Sequence, residues 1–258
     1  MPSKHIYSVK PLICAEAVVP KPFVYRHAGW GETVKIASVA WLLERGAERA
    51  LIDTSLGACA DVPAYARLHE TLAGMWTWRS GGVLDALAAE SVAAGEIGTI
   101  YLTHLHNDHV AGLPAFPEAR VVLSKRGWEA ARGEHHPWFA TYAPELMDHL
   151  ASRPVELAGD EEDVGDGVSV RWLGGHSPCS QAVIIDTTAG RTAFAGDVVP
   201  MALSWSERHP TGHYQSLREV ARAYEILEGF DLIVPGHDPD QPSWNAGLRT
   251  STEKSCEQ

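Results

Sequence analysis

Short apolar, β-branched runs alternate along this chain with longer amphipathic stretches, a rhythm that predicts strands interleaved with helices. Residues 35–43 and 47–53 read as adjacent strands joined by a tight turn at Glu44, Arg45 and Gly46. Further strands are expected at 99–103, 120–124, 168–173, 182–186, 191–195 and 231–234, with Ala189 and Gly190 turning between two of them. Helical spacing predicts helices over 62–73 and 83–94, the second stopped by Gly95, and a third beginning over 125–132. The clearest helix is 215–228, where Leu217, Val220, Ala221, Tyr224 and Leu227 share one face. Residues 133–149 carry no period, and the acidic run 160–163 reads as a solvated loop before a hairpin. No solenoid repeat or low-complexity linker interrupts the series. The expectation is a single domain over 1–258, with a short N-terminal extension and a polar C-terminal tail.

The strand at 99–103 runs straight into His104, His106, Asp108 and His109. Strand side chains alternate, so His104 and His106 point to one side, and the following turn lets Asp108 and His109 face a second point nearby. Imidazole nitrogens and carboxylate oxygens are the donors that suit zinc and similar divalent ions. Three later strand ends repeat the device, each with one such residue beside glycine. They are His176 after Gly174 and Gly175, Asp197 after Gly196, and His237 after Gly236. Glycine there lets the backbone turn sharply. Each is weak alone; four strand ends in order are hard to explain without metal ions.

Composition narrows the partners. The chain has 258 residues, 45% of them hydrophobic, and nine Trp, enough for a sizeable core without disulfides. A net charge of −12 argues against a nucleic-acid partner, because phosphate binding is driven by Lys and Arg. Cys14, Cys59, Cys179 and Cys256 form no close pair, as suits free thiols in a reducing compartment. Residues 1–7 lack the apolar core of a signal peptide, and no apolar run approaches the roughly 20 residues of a membrane span. A soluble, cytoplasmic protein acting on a small molecule, with no membrane partner, is expected.

The ordered set His104, His106, Asp108, His109, His176, Asp197 and His237 resembles the signature of the metallo-β-lactamase superfamily, over roughly 35–238. The resemblance implies an α/β fold, a four-layer αββα sandwich with metals at one edge between its sheets. It implies a first metal on His104, His106 and His176 and a second on Asp108, His109 and His237, with Asp197 bridging. Two divalent ions are implied, zinc first and iron or manganese as alternatives. Asp108 would also be the catalytic proton carrier. Asp197, where the best-known β-lactamases carry Cys, points towards the lactonase and glyoxalase II branches. The segments 51–54 and 234–240 are similar to acyl-homoserine-lactone lactonases.

The expected activity is therefore hydrolysis of a lactone or related cyclic or aryl ester by a metal-activated hydroxide. A glyoxalase II-like thioester hydrolase and a mononuclear iron persulfide dioxygenase on the same fold are the alternatives. Such lactonases commonly carry Tyr three residues after the bridging Asp, where this chain has Pro200; Tyr142 or Tyr214 would have to substitute. Trp76, Trp78, Trp138, Phe139, Tyr142, Trp205 and Tyr214 are candidate substrate-binding aromatics, favouring a ring-bearing substrate. Arg79, Arg208, His209 and His213 are candidates for recognising a carboxylate, and Thr103 and Asp238 for orienting the histidines. Cys179 reads as structural. The same aromatics would serve a dimer interface, so monomer and homodimer both fit.

Overall fold

A computed structural model describes residues 6–56, 76–78, 81–132 and 144–240. In chain order, β1 (Ser8–Pro20) leads into the short helix α1 (Lys21–Val24), then β2 (Thr33–Arg45) and β3 (Glu48–Ile52). Next come β4 (Thr77–Trp78), α2 (Val83–Ala89), β5 (Thr99–Tyr101), α3 (Asn107–Val110), β6 (Arg120–Ser124), α4 (Lys125–Ala131) and α5 (Pro144–Ala151). The second half holds β7 (Val155–Ala158), β8 (Glu161–Asp163), β9 (Val168–Trp172), β10 (Gln181–Thr187), β11 (Gly190–Phe194), α6 (Ala202–Ser206), α7 (Leu217–Leu227) and β12 (Leu232–Val234). The strands form two mixed sheets, ordered β4-β1-β2-β3-β5-β6-β7 and β12-β11-β10-β9-β8.

Three apolar layers follow from strand alternation. In β2, Ile36, Ala40 and Leu42 face the layer shared with Val83, Leu87, Trp128, Leu146 and Leu150 of α2, α4 and α5. The intervening Ala37, Val39, Trp41 and Leu43 face the second sheet, meeting Val168, Val170, Val183, Ile185 and Phe194. Residues 36–43 are thus buried without a break, because both faces of the sheet are covered. The outer face of the second sheet packs Leu173, Ala182, Ile184 and Ala193 against Val220, Ala223, Tyr224 and Leu227 of α7. The order helix, sheet, sheet, helix is the αββα sandwich the sequence led us to expect.

Strand direction positions the site. β10 runs antiparallel to both β9 and β11, and β12 runs parallel to β11. β9, β11 and β12 therefore end at the same edge of their sheet, where His176, Asp197 and His237 follow.

Several boundaries differ from the sequence expectation. The supposed N-terminal extension contains a 13-residue strand, β1, antiparallel to β2 over almost its whole length. Pro11 and a register shift between Ile13 and Ala15 break its two-residue period, which hid it. The acidic run is β8, an exposed edge strand whose acidic side chains face water and whose partner is β9. The aperiodic stretch includes the start of α5, and the helix expected over 83–94 ends at Ala89, with a 3-10 turn at Ala94–Glu96. The helix expected over 62–73 lies outside the described residues. No helix among the described residues is long and apolar enough to cross a membrane.

Candidate metal centre

The segment after β5 is held from below before it presents any ligand. Asp53, at the end of β3, has φ +56, a left-handed conformation that turns its carboxylate under the next strand. Its Oδ1 accepts from the Thr103 amide at 2.7 Å, and its Oδ2 accepts from the Thr103 hydroxyl and from His109 Nδ1, each at 2.7 Å. The Thr103 hydroxyl has given its hydrogen to Asp53, so it accepts from His104 Nδ1 at 3.1 Å. Ser38 Oγ donates to the Asp108 carbonyl at 2.8 Å, and the Thr54 amide donates to the His109 carbonyl at 2.7 Å. Across the sheets, the Gln181 amide donates to the Thr103 carbonyl at 2.9 Å.

The later histidines are fixed in the same way. His176 Nδ1 donates to the His213 carbonyl at 2.7 Å, and His237 Nδ1 donates to the Ala37 carbonyl at 2.8 Å. A carbonyl only accepts, so each Nδ1 carries its hydrogen and each Nε2 is the atom turned inward, offering a lone pair when the ring is neutral. His104 and His109 reach the same state through Thr103 and Asp53.

Two groups of inward-facing atoms result. His104, His106, His176 and Asp197 form one, and Asp108, His109 and His237 the other, with the donor atoms of each within 4.8 Å of one another. Asp197 stands between them: Oδ2 is 3.5 Å from His176 Nε2, 3.8 Å from His104 Nε2 and 2.9 Å from His237 Nε2. Its Oδ1 lies 3.2 Å from His109 Nε2. All are buried except Asp108, which is half-buried and 3.5 Å from His237 Nε2.

The electrostatics ask for a cation. His109 Nε2 and Asp197 Oδ1 are buried 3.2 Å apart and neither makes a hydrogen bond, so positive charge, a proton or a metal ion, is wanted between them. Such atoms cost free energy unless positive charge satisfies them. Burial opposes ionisation of Asp197, yet the imidazoles of His237, His109 and His104 hold its carboxyl well below the usual carboxylate range. Burial also lowers His104 and His106 far below the ordinary imidazole value and His176 to about 4, leaving neutral rings of the kind metals bind. At His109 burial is outweighed by Asp197, Asp53 and Asp108, which raise it well above the ordinary value. These His and Asp groups are suited to binding metal ions.

The other candidates divide. Trp76 is buried with its ring 6.0 Å from that of His237, and His213 stacks on His106 at 5.4 Å and meets His176 edge-on at 5.1 Å. Trp78 lies in β4. Trp205 packs on Tyr224 of α7 at 5.4 Å, and the Tyr214 hydroxyl accepts from Arg26 Nε at 3.1 Å. Arg208 pairs with Glu228, and His209 Nε2 donates to the Arg26 carbonyl. Thr103 orients His104 as expected, whereas the Asp238 carboxylate accepts from the Ala202 amide at the start of α6. Pro200 is buried, and its carbonyl accepts from the His237 amide. Cys179 is buried with Sγ accepting from the Leu105 amide at 3.3 Å, a packing role under the ligand loop. Arg79, Trp138, Phe139 and Tyr142 lie outside the described residues. Sequence reasoning singled out the segment 51–54 but gave its Asp53 no role; its placement at a strand end was the further signal.

Two layers of sheet between helices, with seven His and Asp donors gathered where strand ends of both sheets meet, define a metal-binding αββα sandwich. The chain belongs to the metallo-beta-lactamase superfamily, whose family model matches residues 35–237. Metallo-beta-lactamase domain-containing protein 1 of Xenopus laevis is 27% identical over 163 residues, 63% of this chain and 63% of that protein. N-acyl homoserine lactonase AttM of Rhizobium radiobacter is 24% identical over 172 residues, 62% of this chain and 65% of its own length. These alignments span less than two thirds of either relative. In structure, a quorum-quenching N-acyl homoserine lactone lactonase superposes with a TM-score of 0.74 at 19% identity, covering 93% of this chain and 95% of that one. A probable metal-dependent hydrolase from Staphylococcus aureus gives 0.75 at 16% identity, covering 90% and 89%.

Proposed function

We propose that this chain is a binuclear zinc-dependent hydrolase that opens a lactone or a related cyclic or aryl ester. The observation that carries the reading is the pairing of His109 Nε2 with Asp197 Oδ1, both buried and without a hydrogen-bond partner, between two groups of inward-facing donors. His104, His106 and His176 would hold one ion, Asp108, His109 and His237 the other, and Asp197 would bridge. Such an ion pair supplies Lewis acidity and lowers the pKa of water from about 15.7 towards about 7. Asp53 and the Ala37 and His213 carbonyls engage the Nδ1 atoms of His109, His237 and His176 and so aim each Nε2 inward. Asp108, the half-buried member of the set, would carry a proton to the leaving oxygen. The AttM and quorum-quenching relatives, named as N-acyl homoserine lactonases, support the lactone over other esters.

Metal content by elemental analysis, with turnover of lactones, thioesters and aryl esters on the same sample, tests the reading. We expect about two zinc ions per chain and lactone or ester cleavage. About one iron per chain with oxygen consumption and no hydrolysis would overturn it in favour of a dioxygenase.

A further inference from the structure

Phe23 is half exposed, yet its ring is not loose: it lies 5.3 Å from the ring of His213, tilted by 31°. His213 in turn lies nearly parallel to His106, with 7° between the rings, and edge-on to His176. Through one intermediate ring, therefore, Phe23 stands beside the first group of metal-suited donors.

The backbone around Phe23 is built to hold it there. The Arg26 amide donates to the Pro210 carbonyl at 3.0 Å, and the Gly212 amide donates to the Val24 carbonyl at 3.0 Å. His209 Nε2 donates to the Arg26 carbonyl at 2.9 Å, and Arg26 Nε donates to the Tyr214 hydroxyl at 3.1 Å. The two segments press together so closely that a Cβ at Gly212 would sit 1.9 Å from the Pro22 carbonyl oxygen. An apolar ring left half in water on a rigid mount, next to reactive groups, is an expected feature of a ligand wall. On the other side of the centre Trp76 packs 6.0 Å from His237. Aromatic rings thus stand near both groups of donors, the exposed one being Phe23.

We propose that Phe23, seated on His213, forms one wall of the substrate cleft and selects molecules carrying an aryl or similarly flat apolar group near the bond cleaved. The proposal rests on the hydrolase reading for what is cleaved, though the wall itself does not require cleavage. Aromatic pairs gain beyond simple area burial when rings meet offset or edge-on, which favours a ring over an alkyl chain of equal length. Tyr214 then acts through Arg26 as a support of the mount.

The test uses product-like carboxylates, so that binding is read without turnover. Titration calorimetry of the protein as purified, with its metal content measured, would compare 4-phenylbutyrate with octanoate, an alkyl carboxylate of similar length. We expect about tenfold tighter binding of the phenyl compound. In Phe23→Ala the preference should fall to about twofold or less with metal content unchanged, and Phe23→Leu should keep part of it. A Phe23→Ala protein that retains the wild-type ratio, or a wild type that shows no preference, would overturn the wall. A preference that Phe23→Ala abolishes in a protein that cleaves no ester or lactone would keep the wall and remove the hydrolase reading.

Discussion

Asp53 is the residue on which most of the centre leans. One carboxylate accepts from the Thr103 amide, the Thr103 hydroxyl and His109 Nδ1, and through Thr103 it also fixes His104. It thereby sets one ring in each group of donors. Replacing it with Ala should lower metal affinity about 10–100-fold, measured by competition with a chelator of known affinity, while the seven donors stay in place. Asp108 calls for the opposite experiment. Its carboxylate lies 3.5 Å from His237 Nε2 and keeps partial contact with solvent. Asp108→Asn retains a side-chain oxygen suited to a metal ion but loses the carboxylate proposed to carry a proton. We expect metal content close to wild type with turnover reduced at least about 100-fold. Near-normal turnover would remove Asp108 from proton transfer.

At the scale of elements, the site is a meeting of strand ends, and the turns leaving them are crowded. Gly196, with φ +51, and Gly236 pass so closely that a Cβ on Gly236 would lie 2.5 Å from Asp197 Oδ1 and 2.9 Å from the Gly196 carbonyl carbon. Backbone on that side cannot yield as a flexible side chain would. Gly236→Ala should therefore destabilise the fold by about 1–3 kcal/mol, read by denaturant titration, and also displace Asp197 enough to reduce bound metal. Full metal content in that variant would show that the two turns can separate without disturbing the bridge position. β2 matters for a different reason. It fills two apolar layers at once, carries Ser38 to the Asp108 carbonyl, and pairs Ala37 with His237 through both ring and backbone.

The whole molecule has a pH signature. Burial pushes the Cys14 thiol up to about 11 and Tyr25 up to about 12, and raises Tyr101 and Tyr224 still further. In the unfolded chain a thiol ionises near 8.5 and a phenol near 10. The folded state therefore holds these protons more tightly, and its stability is complete below about pH 8.5 and lost as pH rises through 11 and 12. On the acid side, His176 in the fold takes up a proton only at about 4, whereas the unfolded imidazole does so near 6.5. Stability tied to this neutral ring falls as pH drops through that window. Thermal unfolding followed from pH 4 to pH 11 should give a plateau near neutrality with losses on both flanks. Undiminished stability at pH 10.5 would contradict the burial of Cys14.

The ordered His and Asp residues at glycine-flanked strand ends carried the family resemblance that implied the sandwich and the candidate donors, and alternation marked most strands. On the last helix the predicted face held Val220, Tyr224 and Leu227 but took exposed Ala221 in place of buried Ala223. Strands and donors are legible because strand period and donor chemistry are written locally, within a few residues of each other. Beyond the turn at Ala189 and Gly190, the sequence could not show that β10 also pairs antiparallel with β9 and that β12 runs parallel to β11, so that three strand ends share one edge, nor that Asp53 binds Thr103 and His109 some 50 residues away. It missed β1, because a proline and a register shift blur a pattern that pairing with β2 restores. It named Trp205 among its aromatics without showing that the ring packs on Tyr224, and did not single out the exposed Phe23, because composition cannot say which face of an aromatic is covered. Those matters depend on contacts between distant segments, whose free energy exists only once the two sheets and their turns are packed together.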